Sequence, residues 1–315
     1  MLIDFCKLYL YLCFMVIERV LMVLLLILSA LSGLSQTESD VNISQGGYGM
    51  VKTNIGLSYS RGFSTVRDGY DSRVSYEMVR SRAFTLTANA RYSSVNVDFG
   101  DDDISEGYDP DAINLNGTHA MGTVGLTSML YMRAFGKPLV GMAMGSCEWG
   151  AGGFARVSGI AMALVMLKAD RDTQFGLGPL VLINSTSKIP AFLVFMYRHR
   201  FNDRWLLNLY GGMMGFDYTP TRNDLISFGA DIDVKSFYFK PDDESLPKRC
   251  RFTTTAFRPT VKYRHRLARN LYFDAQCGVA VKMSCRVNGV TGTKEYFDCR
   301  RKTAPFVQAA VSYSL

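Results

Sequence analysis

The charges that could act on a solute gather in one part of the chain. Asp231 and Asp233 stand two apart, Arg258, Lys262 and Arg264 stand at even spacings in the next segment, and Asp274 lies beyond. Even spacing in an extended chain puts side chains on one face. These six groups are therefore expected to meet across adjacent strands. Their chemistry is electrostatic: a charged wall that selects solutes by sign, or a set of salt bridges filling a narrow space. The sequence leaves both open.

Acid–base chemistry has less to draw on. The histidines are His119, His199 and His265. A lipid-cleaving site would need one of them beside an activated serine and an orienting polar group. His199 and His265 each stand two residues after a tyrosine, near a short turn, but no serine falls beside either on a pairing strand. No catalytic residue and no enzyme is expected. Asp101, Asp103, Ser105 and Asp109 have the look of a calcium loop. However, Glu106 stands where the tight turn needs glycine, and Ala112 replaces the bidentate carboxylate. No metal and no cofactor is expected.

The elements that must position the charges show in residues 251–283. Phe257, Pro259, Val261 and Tyr263 share one face, and Arg258, Thr260, Lys262 and Arg264 the other. Past 267–270 the alternation resumes, with Phe273, Ala275, Cys277, Val279 and Val281 against Tyr272, Asp274, Gln276 and Lys282. This is a hairpin with one apolar and one polar side. Each arm exceeds the roughly 9–11 residues that a tilted strand needs to cross a bilayer. Arg258 or Lys262 would cost about 2–4 kcal/mol each if turned to lipid at the midplane, so the polar face must look inward.

The pattern recurs along the chain. Strands are expected at 51–60, 72–80, 83–99, 118–135, 139–147, 157–168, 173–183, 191–201, 224–239, 251–266, 271–283 and 303–315, with a bulge near Ser93–Ser94. Residues 205–219 read as one strand or as two broken at Gly211–Gly212. Splitting them gives 14 strands and puts every long loop on one side; leaving them whole gives 13 and swaps sides halfway. Dropping the two weak strands before Ala83 as well gives 12. The expected fold is an all-β, antiparallel, up-and-down transmembrane barrel of 14 strands, with 12 as the alternative. Tyr59, Tyr92, Tyr197, Tyr238 and Tyr263, near strand ends, would form an interfacial girdle. Between Leu139 and Tyr197 the second face carries Gly141, Ala143, Gly145, Ala161 and Ala163 instead of charges. That face is either an apolar strip for a hydrophobic solute or a place where an inward-folded loop packs closely.

Net charge is +7, but the basic residues are dispersed along polar strand faces, which excludes a nucleic-acid surface. One apolar run, 20–34, is too short for a spanning helix and is followed by polar residues. It reads as the core of a secretory signal peptide over 1–35, with Met15 as a plausible true start. Of the seven cysteines, Cys6 and Cys13 fall in that leader, and the other five show no CxxC spacing. Cys285 and Cys299 flank one predicted loop and either pair in an oxidising compartment or stay free thiols.

Val307, Ala309, Val311, Tyr313 and Leu315 alternate with Gln308, Ala310, Ser312 and Ser314 to the last residue given. Together with the leader, this pattern resembles bacterial outer-membrane β-barrel proteins of the medium-sized, porin-like, uncharacterised class. Members of this class usually finish in Phe or Trp, where Leu315 stands here. The resemblance implies the outer membrane of a Gram-negative cell, with 36–50 as a periplasmic N-terminal segment and 51–315 as the barrel. It also implies outer-membrane lipid around the barrel, and a barrel-assembly machinery that reads Val311, Tyr313 and Leu315. The expected function is a narrow porin-like channel for small solutes. The alternative is a closed barrel with a structural, adhesive or partner-docking role carried by loops 100–117 and 285–302. A membrane-embedded lipid-modifying enzyme ranks third.

Overall fold

The computed structural model describes residues 54–62, 66–99, 111, 113–134, 136–183, 191–210, 213–290, 295–298 and 303–314. The expected leader, Met15, the segment 36–50, most of loop 100–117, Cys299 and Leu315 lie outside the described residues. The strands are β1 (Asn54–Gly62), β2 (Val66–Arg80), β3 (Phe84–Val97), β4 (Gly117–Ala134), β5 (Lys137–Gly150), β6 (Gly153–Ala169), β7 (Thr173–Ile183) and β8 (Ala191–Arg200). They continue as β9 (Trp205–Asn208), β10 (Met213–Tyr218), β11 (Asp224–Phe239), β12 (Cys250–Ala268), β13 (Leu271–Gly289), β14 (Glu295–Asp298) and β15 (Thr303–Ser314). Neighbours pair antiparallel from β1 to β13, and β15 lies between β13 and β1. The ring is closed and has 14 strands, with β14 a short addition to the end of β13. Closure leaves no strand edge in need of protection.

Six short connections (81–83, 135–136, 170–172, 201–204, 219–223 and 269–270) fall at one end, called here the turn end. The longest (98–116, 240–249 and 290–302) all fall at the other, the loop end, together with the links 63–65, 151–152, 184–190 and 209–212. The turns are closed by local chemistry. Asp170 accepts the N–H groups of Asp172 (3.2 Å) and Thr173 (2.5 Å), and the Thr173 bond holds its carboxyl below the usual carboxylate range. Asn202 does the same for Arg204 and Trp205, each at 2.9 Å.

The apolar faces look out. Leu57, Tyr70, Leu126, Leu193, Val261 and Val311 are all exposed, while Arg258, Thr260 and Asp274 on the alternate faces are not. On a water-soluble chain such a continuous greasy exterior would be a liability. Around a closed barrel it is the lipid-facing surface. Aromatics mark both rims: Tyr59 with Tyr70 (ring centroids 5.0 Å apart) and Tyr92 toward the loop end, Trp205 with Tyr218 (4.6 Å) and Tyr263 toward the turn end. Val261→Arg should therefore lower the unfolding free energy by about 2–4 kcal/mol, read by urea titration of vesicle-folded protein. Gln276→Lys, facing inward and keeping a donor toward Asp231, should cost far less. Equal losses would overturn the assignment of inside and outside.

Four expectations need correction. No register shift separates β3 from β4 at Ser93–Ser94; the irregularity lies on β2, opposite Val95–Val97. What changes near Ser93 is the side on which the apolar residues lie, because the inward face there meets protein instead of water. Second, Tyr238 is no girdle residue: it is fully buried. Third, Gly145 lies directly opposite the exposed Leu126, and Gly141 opposite Leu130, so the small residues of β5 and β6 face lipid. Met142, Met144, Ile160 and Met162 take the inward side instead. Fourth, β13 continues through Cys285 to Gly289 instead of giving way to a loop.

Candidate functional site

The interior has two unlike halves. On β11–β13 the register places Asp231 opposite Arg258, and Arg264 opposite Asp274. Arg258 grips Asp231 with two bonds (2.7 and 2.8 Å) and reaches Asp233 at 3.2 Å. Gln276 donates to Asp231 at 3.1 Å. Asp274 takes Arg264 at 2.8 Å and Lys262 at 3.4 Å. All six charges singled out in the sequence thus stand on one wall. That wall continues onto β2 and β3, where Asp71 pairs with both Arg73 (2.7 Å) and Arg91. Away from its loop end the opposite wall, β5 to β7, is apolar, with Leu164 and Met166 buried and the Tyr210 hydroxyl 3.7 Å from the Met162 sulfur.

At the loop end the described residues carry protein across the lumen. Phe237, Tyr238 and Phe239 are all at 0–1% exposure, so both faces of the β11 end are covered. β11 and β4 lie seven strands apart whichever way the ring is followed. Even so, His119 on β4 stacks on Phe237 with ring centroids 4.2 Å apart, and Tyr238 donates to Glu148 on β5. The ends of β11 to β13 therefore cross the mouth and rest on the far wall. One side packs Phe237, Phe252, Cys285 and Val287 against Val95, Val97 and Leu115. A register shift between Thr255 and Ala256, with Met283 as the extra residue, turns Cys285 and Val287 into that cluster. The other side sets Tyr238 against Ala155, Val290 and Met121.

Polar groups fasten the crossing. Glu148 accepts two bonds from Arg156 (3.0 and 3.2 Å), one from Ser158 (3.0 Å) and one from Tyr238. Arg249 donates to the carbonyls of Ala151 (3.1 Å), Gly153 (3.1 Å) and Phe154 (2.7 Å), tying the 240–249 loop to the β5–β6 turn. Gly152 has φ +87°, a backbone conformation that L side chains rarely adopt, so the turn favours glycine.

Glu148 and Arg156 carry no expectation in the sequence, and Tyr238 is expected in the girdle instead of here. The first two lie one residue outside the strands expected there, flanking a glycine-rich turn; opposite charges placed symmetrically about that turn were the available signal. His199 bonds Thr173 (2.9 Å), and His265 bonds Asp224 (2.7 Å) and Tyr263 (3.3 Å); none of these partners is a serine. Val311 and Tyr313 face outward. Cys285 is buried, and Cys299, its proposed partner, is outside the described residues.

No family model matches the chain, and no curated protein does. Among solved structures, the KdgM porin aligns at 9% identity over 83% of this chain and 99% of that one, with a TM-score of 0.34. An outer membrane channel from Pseudomonas putida F1 aligns at 10% over 88% and 100%, with a TM-score of 0.40. The outer membrane phospholipase A from Escherichia coli aligns at 7% over 84% and 96%, with a TM-score of 0.36. At such identities and scores the assignment rests on the ring and its two surfaces, not on likeness. With its ring closed, its apolar faces turned to lipid and its charges turned inward, the chain forms, over the described residues, a transmembrane β-barrel of 14 strands.

Proposed function

We propose that this barrel is a narrow porin-like channel for small solutes, closed at its loop end in the conformation described. The observation behind this reading is the charged half of the lumen. Buried ion pairs return less than apolar packing of the same volume, so a barrel serving only as a scaffold gains nothing from lining itself with them. A wall over which ions must pass does gain. In planar bilayers the purified protein should show discrete conductance steps. The double variant Lys262→Gln/Arg264→Gln should move ion preference toward cations. Steps with unchanged preference would remove the sign-selecting wall from the account.

The fastened mouth favours a second reading, a closed barrel with a structural or docking role. Silence in bilayers, persisting once the Arg249 tie is cut, would select it. Neither reading makes the protein an enzyme. During biogenesis the assembly machinery would read the last strand through Val311, Tyr313 and Leu315, and outer-membrane lipid would be the barrel's standing partner.

A further inference from the structure

We infer that the lumen holds a built binding site for a small oxyanion, centred on Lys235. A cavity of about 140 Å³ lies between β1–β3 and β11–β12, with Val95 and Met121 of the mouth packing at one side. Its basic lining groups are Arg73, Arg91, Lys235 and Arg258, and its carboxylates are Asp71 and Asp233. These charges are not equally committed. Asp71 is shared by Arg73 and Arg91, while Arg258 holds both Asp231 and Asp233. Among the described residues, no carboxylate stands within ion-pair distance of the Lys235 ammonium.

The surroundings complete a donor set. The hydroxyls of Ser58, Ser60 and Ser93 line the same cavity. Gly69 leaves room between them: a Cβ there would come within 2.8 Å of the Ser60 hydroxyl and 3.8 Å of the Lys235 nitrogen. An ammonium without an ion pair, three guanidiniums and several hydroxyls around this space suit a compact anion with several acceptor oxygens. The volume also admits several waters, so the ion need not shed its whole shell. Because the mouth packing lies on the loop-end side of the cavity, the approach runs from the turn end past Lys262 and Arg264.

The inference rests on the channel reading for its physiological sense, but binding can be measured without ion flow. Inorganic phosphate is titrated calorimetrically into the detergent-folded barrel. Wild type should bind saturably, and Lys235→Met should weaken binding by about tenfold, the worth of one charge-assisted contact. Lys235→Arg should restore it, and Arg171→Gln, on the exposed β6–β7 turn and outside the cavity lining, should leave it unchanged. Folding of each variant is checked by heat-modifiable gel migration. If Lys235→Met does not fold, Asp233→Asn decides: removing a competing carboxylate should tighten binding. No saturable binding in wild type, equal affinity in Lys235→Met, or no gain in Asp233→Asn overturns the site. Binding without conductance would sink the channel and spare the site; conductance without binding would do the reverse.

Discussion

Glu148→Leu should destabilise the folded barrel by about 3–5 kcal/mol, the range for removing one partner of a buried ion pair. The substitution strands several buried groups. Arg156 and Glu148 have side-chain exposures of only 8% and 11%, and Arg156 spends two donors on this carboxylate. Ser158 and Tyr238 lose their acceptor in the same stroke. A guanidinium in that setting loses this carboxylate without gaining bulk water, and the desolvation of the groups left behind sets the cost more than the lost bond does. The double variant Glu148→Leu/Arg156→Met should therefore recover a large part of the loss. Tyr238→Phe should cost only about 1–2 kcal/mol, because Glu148 keeps Arg156 and Ser158. Urea midpoints in detergent, followed by the fluorescence of Trp149 and Trp205, give the comparison. A loss below about 1 kcal/mol for Glu148→Leu would mean that water reaches the network freely.

The second large effect is expected at the mouth. Arg249 makes three bonds to backbone carbonyls across the opening. A hydrogen bond from a charged donor contributes about 1.5–3 kcal/mol, so Arg249→Ala should raise the open population by one to two orders of magnitude. Two measurements read this independently. In bilayers the fraction of time spent conducting should rise, while the size of the largest steps stays the same. In solution, Cys250 and Cys285, both at 0% exposure inside the mouth packing, should become reactive toward a water-soluble maleimide. Their modification is followed peptide by peptide, with Cys147 and Cys277 replaced by serine to silence the wall. Thiols that stay protected in Arg249→Ala would show that apolar packing alone holds the mouth shut. The cluster of Phe237, Phe252, Val95 and Val97 would then be the next target.

The two experiments bear on different parts of the same structure. Glu148 anchors the far wall to which the crossing strands attach, and Arg249 ties the loop above them. A variant that opens the mouth without loss of stability would separate gating from folding. One that does both would mark the mouth packing as part of the core.

Much of this could be read from residue order alone, and the reason is local. Side chains in a strand alternate strictly, and lipid and lumen sort them at each residue. Residues 251–283 therefore declared which face is wet before any partner was known. The connection at 269–270 is short enough to set the β12–β13 register, and even spacing then brought Arg264 to Asp274 and Arg258 to Asp231. The number of strands followed from the same logic, once loop length had to agree with side.

The mouth could not be read this way. Tyr238 obeys the outward parity of Ile232 and Val234 and still ends up buried, because the last residues of β11 leave the wall and cross to β4 and β5. Val95 and Val97 face inward as apolar residues because the crossing strands cover them, a fact about residues more than a hundred positions away. Glu148 and Tyr238 meet from opposite sides of a closed ring, and Lys235 is left without an ion pair because Arg258 holds Asp233 while Arg73 and Arg91 share Asp71. Period and propensity carry no record of such meetings. Alternation alone determined which way each side chain points; only the closed ring decided which opposite walls touch, since that depends on how far strand ends bend across a space no local pattern measures.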